Sequence, residues 1–200
     1  MQLNAPTMIE TQTLRSYFCD ELTRVIDNQS LVIDAEVFSY LTQLLTDFND
    51  PSLLFEQTPD GLEFKPLALH YASAVEAETS QQRAAALRRL GDIALFISGL
   101  FPASLNRKVM DVDYYIAMGG TAYSYLHDVL DARVFGQLSL HFRDIVELLA
   151  EISENSALRN NFDLMREYEI WLHTGSPRAL KKLRRQGLMP TGCNVSVARH

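Results

Sequence analysis

Residues 84–100 read AAALRRLGDIALFISGL, and the last eight of them are almost all apolar. A helix with apolar side chains on every face is stable only when the protein surrounds it. Thr79 and Gln82, just before this segment, have the spacing of a capping box, which marks a helix start. The sequence therefore predicts a helix that ends near Leu100 and lies at the centre of the fold.

Apolar residues recur at three- and four-residue spacings through most of the remaining chain, and this period indicates amphipathic helices. It predicts helices at about residues 8–27, 34–49, 66–78 and 111–130, with Asp34 and Asp111 as N-caps. The most regular stripe consists of Phe135, Leu138, Phe142, Ile145, Leu149 and Ile152. Two shorter helices follow, one near residues 162–172 and a basic one near 176–187. The pattern predicts an all-α, seven- to eight-helix, bundle-like single domain.

One segment departs from the helical period. Thr58-Pro59-Asp60-Gly61 is a turn sequence, and short apolar runs flank it on both sides. These features predict a small β-hairpin within residues 53–65.

Composition and charge exclude several classes of protein. Two cysteines in 200 residues exclude a disulfide scaffold and a four-cysteine zinc site. All 25 acidic residues precede residue 174 and six of the 18 basic residues follow it, so residues 1–174 carry a formal charge of −13 and the remainder +6. We therefore expect an acidic helical domain at 1–174, a basic helix and tail at 175–200, a cytoplasmic location and no membrane span.

The segment at 111–120 concentrates carboxylates, phenols and glycines within three helical turns. Its candidate ligand-binding residues are Asp111, Asp113, Tyr114, Tyr115, Gly119 and Gly120. Each has a structural use as well: the aspartates suit a helix N-terminus, the tyrosines can pack, and the glycines can seat a crossing helix. Arg88 and Arg89 add a candidate anion site, although Arg88 can instead pair with Asp92 at i, i+4.

Histidines and aspartates provide a metal-binding alternative. The order of His70, the dipeptide His127-Asp128 and Asp144 resembles the His…His-Asp…Asp order of HD-domain metal phosphohydrolases, which are all-helical and bind divalent metal. The spacing before the dipeptide is longer, and that after it shorter, than in that family. Two helical pairs, His127 with Asp131 and His141 with Asp144, can each offer two ligands, but surface or helix-terminal capping roles explain them with fewer assumptions.

Five cations in the C-terminal segment surround two leucines at helical spacing. They are Arg178, Lys181, Lys182, Arg184 and Arg185. This segment either recruits an acidic partner or packs against the acidic remainder of the chain. We expect another protein as the partner, and nucleic acid only through this tail.

The leading prediction is a non-enzymatic cytoplasmic helical adaptor, regulatory or chaperone-like protein that acts through macromolecular contacts and uses no cofactor. In size, acidity and helix count the chain resembles the cytosolic helical chaperones of redox enzymes, although it lacks their aspartate-and-proline signature. The alternative is a small-ligand-binding protein or an HD-like metal-dependent phosphohydrolase with a pocket in the helical core near Arg88, Asp113 and Tyr114.

Overall fold

A computed structural model describes residues 8–48, 50, 53–58, 61–101, 112–155, 167, 168, 170, 171 and 174–185. Its contacts divide the chain into two compact units. The main helical unit comprises Ala5–Asn49 and Pro66–Ser156, and the second unit contains the β-hairpin and the last described helix. The predicted boundary between residues 174 and 175 stays a prediction.

The main helical unit contains seven helices within the described ranges. They are α1 (Met8–Gln29), α2 (Ala35–Asp47), α3 (Leu67–Val75), α4 (Ser80–Leu100), α5 (Val112–Leu130), α6 (Arg133–Leu140) and α7 (Phe142–Asn155). This architecture confirms the predicted all-α, bundle-like fold. None of the helices in the described part of the chain combines the length and the apolar character that a membrane span needs.

Helix α4 forms the centre of this unit, as its sequence predicts. It contacts α2, α3, α5 and α7, and every residue from Ile93 to Leu100 is buried. The predicted capping box starts it: the Gln82 backbone N–H donates to Thr79 Oγ1 and the Thr79 N–H donates to Gln82 Oε1, each at 3.1 Å. Local sequence therefore sets the start of α4, and its apolar end sets its burial.

Two predicted helix ends differ in the structure. Asp34 occupies the N-cap position of α2, but its side chain makes no capping hydrogen bond. Helix α3 ends at Val75 rather than near residue 78. The Arg83 guanidinium donates to the carbonyls of Ala74 and Ala77 at 3.3 and 3.4 Å, so these groups are satisfied without further helical turns.

The regular stripe from Phe135 to Ile152 serves two helices. All six of its residues are buried, yet the helix breaks at His141, whose backbone N–H donates to the Gln137 carbonyl. Helix α6 then contacts α2 and α5, whereas α7 contacts α1, α4 and α5. The stripe stays continuous because both helices bury the same side of the chain, although against different neighbours.

The second unit contains an antiparallel hairpin and a terminal helix. Strands β1 (Phe55–Thr58) and β2 (Gly61–Phe64) pair with Phe55 opposite Phe64. Helix α8 (Pro177–Arg185) begins after Ser176, whose hydroxyl accepts a hydrogen bond from the Ala179 N–H at 3.4 Å. Ala179 and Leu183 are buried. The predicted tail at residues 188–200 lies outside the described residues.

Close helix contact requires one glycine of the predicted pair. A Cβ atom at Gly119 would lie 2.9 Å from the Ala94 Cβ and 2.6 Å from Phe142 Cε2. At Gly120 the nearest neighbour would be the Ser139 carbonyl oxygen at 4.0 Å. The crossing helices therefore approach at Gly119, and Gly120 leaves room for a side chain.

Alanine substitutions at these two glycines separate packing from helix propensity. We expect Gly119→Ala to lower the free energy of unfolding by about 2 kcal/mol, because an added methyl group overpacks the crossing. Gly120→Ala should raise that free energy by somewhat under 1 kcal/mol, because alanine favours a helix by roughly that amount and its Cβ has space. Urea denaturation of both variants measures the difference. Equal changes in the two variants would contradict the assignment of the crossing to Gly119.

Candidate functional site

A polar cluster joins three helices around Asp92 of α4. The hydroxyls of Tyr40 on α2 and Tyr123 on α5 both donate to Asp92 Oδ1, at 2.5 and 2.7 Å. The residues are far apart in sequence, so each hydrogen bond closes a long loop of chain. The cluster fixes α2 and α5 against the central helix.

Arg88 covers the outer side of this cluster. Its Nε donates to the Tyr40 hydroxyl at 3.2 Å and lies 3.9 Å from Asp92 Oδ2, so the predicted i, i+4 pair with Asp92 is present. The guanidinium carbon also lies 5.1 Å from the centre of the Tyr40 ring and 6.0 Å from that of Phe135. These contacts account for Arg88 as a structural residue.

Burial controls the ionisation of the cluster. It raises the pKa of Asp92 above the ordinary carboxyl value, and hydrogen bonds from Tyr40 and Tyr123 and the charge of Arg88 oppose this shift only in part. Burial, with the nearby Asp92 charge, also raises the pKa of both tyrosines. The phenols therefore remain protonated at neutral pH and act as donors. The polar groups face one another, so the cluster holds helices together.

A groove of about 520 Å³ lies between α3, α4 and α5, in a different part of the main helical unit. Apolar and aromatic side chains form most of its lining. The lining residues are Tyr71, Ala74, Val75, Arg83, Leu87, Leu90, Met118, Thr121, Ala122 and Tyr125. This lining, with few polar groups, is typical of a binding site rather than of a charged catalytic centre.

The groove has a buried floor and exposed walls. Leu87 and Leu90 of α4 form the floor and are almost fully buried. Tyr71, Val75 and Tyr125 in the walls keep 50%, 59% and 38% of their surface exposed. Large apolar side chains that remain this exposed around one concave surface are typical of an interaction site.

Small side chains create the space between these walls. Ala74 of α3 and Ala122 of α5 are buried at the base of the groove, where larger residues would fill it. Arg83, also in the lining, is held by the carbonyls at the end of α3. The groove therefore follows from where short side chains fall on two helices that pack against α4.

The structure distributes the predicted ligand-binding residues over several environments. Asp113 forms an ion pair with Arg143 of α7 at 2.7 Å, and both side chains are mostly exposed. Tyr115 is buried and contacts the Tyr114 ring edge-on at 5.8 Å. Asp111 lies outside the described residues. Asp113 contacts α7, whereas Arg88 contacts α2. The two residues therefore have different neighbours.

Other members of the same predicted set have packing roles. Gly119 seats the helix crossing, and the Gly120 carbonyl accepts a hydrogen bond from Ser139 Oγ at 2.8 Å. Arg89 is half-buried on α4. Among the described residues of the predicted 111–120 segment, Met118 lines the groove.

The predicted metal ligands do not form one group, although His141 and Asp144 lie together as the predicted i, i+3 pair. His127 Nδ1 lies 3.3 Å from the Ala132 carbonyl oxygen, and His141 Nδ1 lies 3.2 Å from Asp144 Oδ2 on the surface. Asp128 is exposed, and Asp131 has a positive φ where α5 ends. Within the described ranges no three histidine, cysteine, aspartate or glutamate residues are grouped to hold a metal ion.

Sequence reasoning did not identify Tyr71, Val75, Leu87 and Tyr125 as site residues. Two helices carry a signal that indicates them. Helix α3 has a second apolar pair, Tyr71 and Val75 at i, i+4, beside its buried stripe, and α5 has a similar extra stripe that includes Tyr125. A second apolar stripe on an already packed helix predicts a surface available for binding.

Comparison of the chain with protein-family models, curated proteins and solved structures found no match. We therefore infer function from the groove and from the surface of the molecule.

The Asp92 cluster predicts a specific pH dependence of stability. The folded pKa of Asp92 is raised, so the folded state binds more protons than the unfolded state between the two pKa values. The stability that this raised pKa contributes is fully present below the ordinary carboxyl pKa of about 4. It is lost as pH rises through the pKa of Asp92 in the folded state. We expect the free energy of unfolding of the parent, minus that of Asp92→Asn, to fall across this window in urea titrations.

Tyr123→Phe provides the companion measurement for the same cluster. Removing one hydrogen bond to the carboxylate should raise the pKa of Asp92 further, so the fall should extend to higher pH. A difference between parent and Asp92→Asn that is constant with pH would contradict the predicted pKa shift.

Proposed function

We propose that this protein is a non-enzymatic helical binding protein whose groove holds an amphipathic helical segment of a partner protein. The observation that carries the proposal is the open groove between α3, α4 and α5, with large apolar side chains half-exposed in its walls. Binding of a helix through apolar residues at i, i+3, i+4 and i+7 is a common mode of peptide recognition. The role is that of an adaptor, regulatory or chaperone-like protein in the cytoplasm.

The dimensions of the groove favour a helix as the occupant. On α5 the apolar side chains at Met118, Ala122 and Tyr125 continue to Val129, which is also exposed. This stripe is about 16 Å long, the length of about three helical turns. Tyr71 and Val75 face it across the groove from α3. A docked helix would lie between α3 and α5 over α4, as an additional helix of the bundle.

A small apolar ligand is the alternative occupant, and the volume of the groove is in the usual range for one. Such a ligand would remain in contact with water along the exposed walls, because Tyr71 and Val75 keep half or more of their surface accessible. A helix covers these walls along their length, so it buries more apolar area. We therefore favour the helix.

Charged substitutions in the walls test this function. Affinity capture from cell extract with mass spectrometry would compare the parent with Val75→Glu, Tyr125→Glu and the control Leu140→Glu, in which an apolar side chain 74% exposed on α6 is replaced. We expect partners bound by the parent and by Leu140→Glu to be lost in both groove variants. The shortest fragment of a captured partner that still binds the parent should bind each groove variant at least tenfold more weakly. Central apolar anchors carry much of the binding energy.

Two results would contradict the proposal. One is a partner that binds the groove variants as tightly as the parent, provided that all variants unfold at similar temperatures. The other is stabilisation of the parent, but not of Tyr125→Glu, by a small apolar metabolite in a thermal-shift screen, without any helical partner. That second result would support the small-ligand alternative.

A further inference from the structure

Helix α8 presents one cationic face directly opposite its buried side. Ala179 and Leu183 are buried, whereas all five cations are exposed. With 3.6 residues per turn, the cations occupy an arc of about 160°, and the centre of that arc lies opposite Leu183. The five cations are Arg178, Lys181, Lys182, Arg184 and Arg185. We call this arc the cationic face.

Only one of the five cations has an ionic partner in the described part of the chain. Lys182 forms an ion pair with Glu167, in the same unit. Arg178, Lys181, Arg184 and Arg185 form none with the described residues. The cationic face therefore presents four available charges within two turns of helix.

Part of this arrangement destabilises the helix, although Lys182, Arg184 and Arg185 in the last turn suit the helix dipole. Like charges at i, i+3 and i, i+4, such as Arg178 with Lys181 and Lys181 with Arg185, repel each other on the helix surface. Arg178 also stands in the first turn, where the helix dipole is positive. A bound anion would remove both penalties, so the face gains stability from an anionic partner.

We infer that the cationic face binds a short acidic peptide segment of a partner protein. The four available cations span about 10 Å along the helix axis, which corresponds to a few residues of extended peptide. Three of the four are arginines, which pair with carboxylates through two parallel hydrogen bonds. Carboxylates carried on a short segment match this set in charge, spacing and extent.

The charge of the remaining chain selects a short anion over an extended one. Residues 1–174 carry a formal charge of −13, so the chain as a whole repels a long polyanion such as a nucleic-acid duplex, and also an anionic membrane. At physiological salt, charges are screened over about 8 Å. A short peptide that contacts only α8 is therefore repelled little by the acidic residues elsewhere in the chain. This inference does not depend on the proposed groove function, because α8 and the groove belong to different units.

Fluorescence anisotropy with a labelled ten-residue peptide of alternating glutamate and glycine tests the inference on the full chain at 50 mM salt. Lys181→Gln with Arg185→Gln removes two available cations. The control is Lys182→Gln with Arg133→Gln, which removes the same net charge. It replaces the cation of α8 that is paired with Glu167 and an exposed cation of α6. We expect the first double variant to weaken binding at least tenfold and the control less than twofold. Binding by the parent should also weaken at 300 mM salt.

Circular dichroism and thermal melting establish that both double variants are folded, and glutamine preserves helix propensity. Equal affinities of the two double variants, or no binding by the parent at 50 mM salt, would overturn the inference. So would tighter binding, under the same conditions, of a 20-base-pair DNA duplex or of phosphatidylserine vesicles. The groove variants Val75→Glu and Tyr125→Glu should bind the acidic peptide as the parent does, so a failure of either proposal leaves the other testable.

Discussion

The close contact of α5 with α4 is the constraint on which the rest of the main helical unit depends. Gly91 of α4 lies so near the Tyr123 ring that a Cβ there would be 2.6 Å from Tyr123 Cε1, and a Cβ at Gly119 of α5 would be 2.9 Å from the Ala94 Cβ. Glycine permits this approach because it has no side chain. The approach in turn brings the Tyr123 hydroxyl to Asp92, where Tyr40 also donates its hydrogen bond.

This packing also determines where the groove forms. Gly119 and Tyr123 occupy the face of α5 that contacts α4, and Met118, Ala122 and Tyr125 lie on the adjacent face. Short side chains lie between that second face and α3, and the space there stays partly open. The close packing of one side of α5 thus supports the proposed binding surface on the next side. Preorganised walls of this kind reduce the entropy lost when a partner binds.

The two proposed binding surfaces differ in chemistry and in unit. The groove offers apolar side chains, so its affinity comes from buried area and changes little with salt. The cationic face of α8 offers charges in water, so its affinity depends on ionic strength. The salt dependence of binding therefore distinguishes the two surfaces.

The sequence by itself determined the helices, the capping box at Thr79 and Gln82, the burial of α4 and the charges of α8, because these depend on residues a few positions apart. It did not determine that α6 and α7 break at His141, because the apolar stripe continues through the break. Only the tertiary structure decided that Gly119 and not Gly120 seats the crossing, that Asp92 meets two tyrosines, and that Tyr71 and Tyr125 share a groove. These contacts join residues far apart in the chain, and their distances depend on how closely whole helices approach, which helical periodicity leaves open.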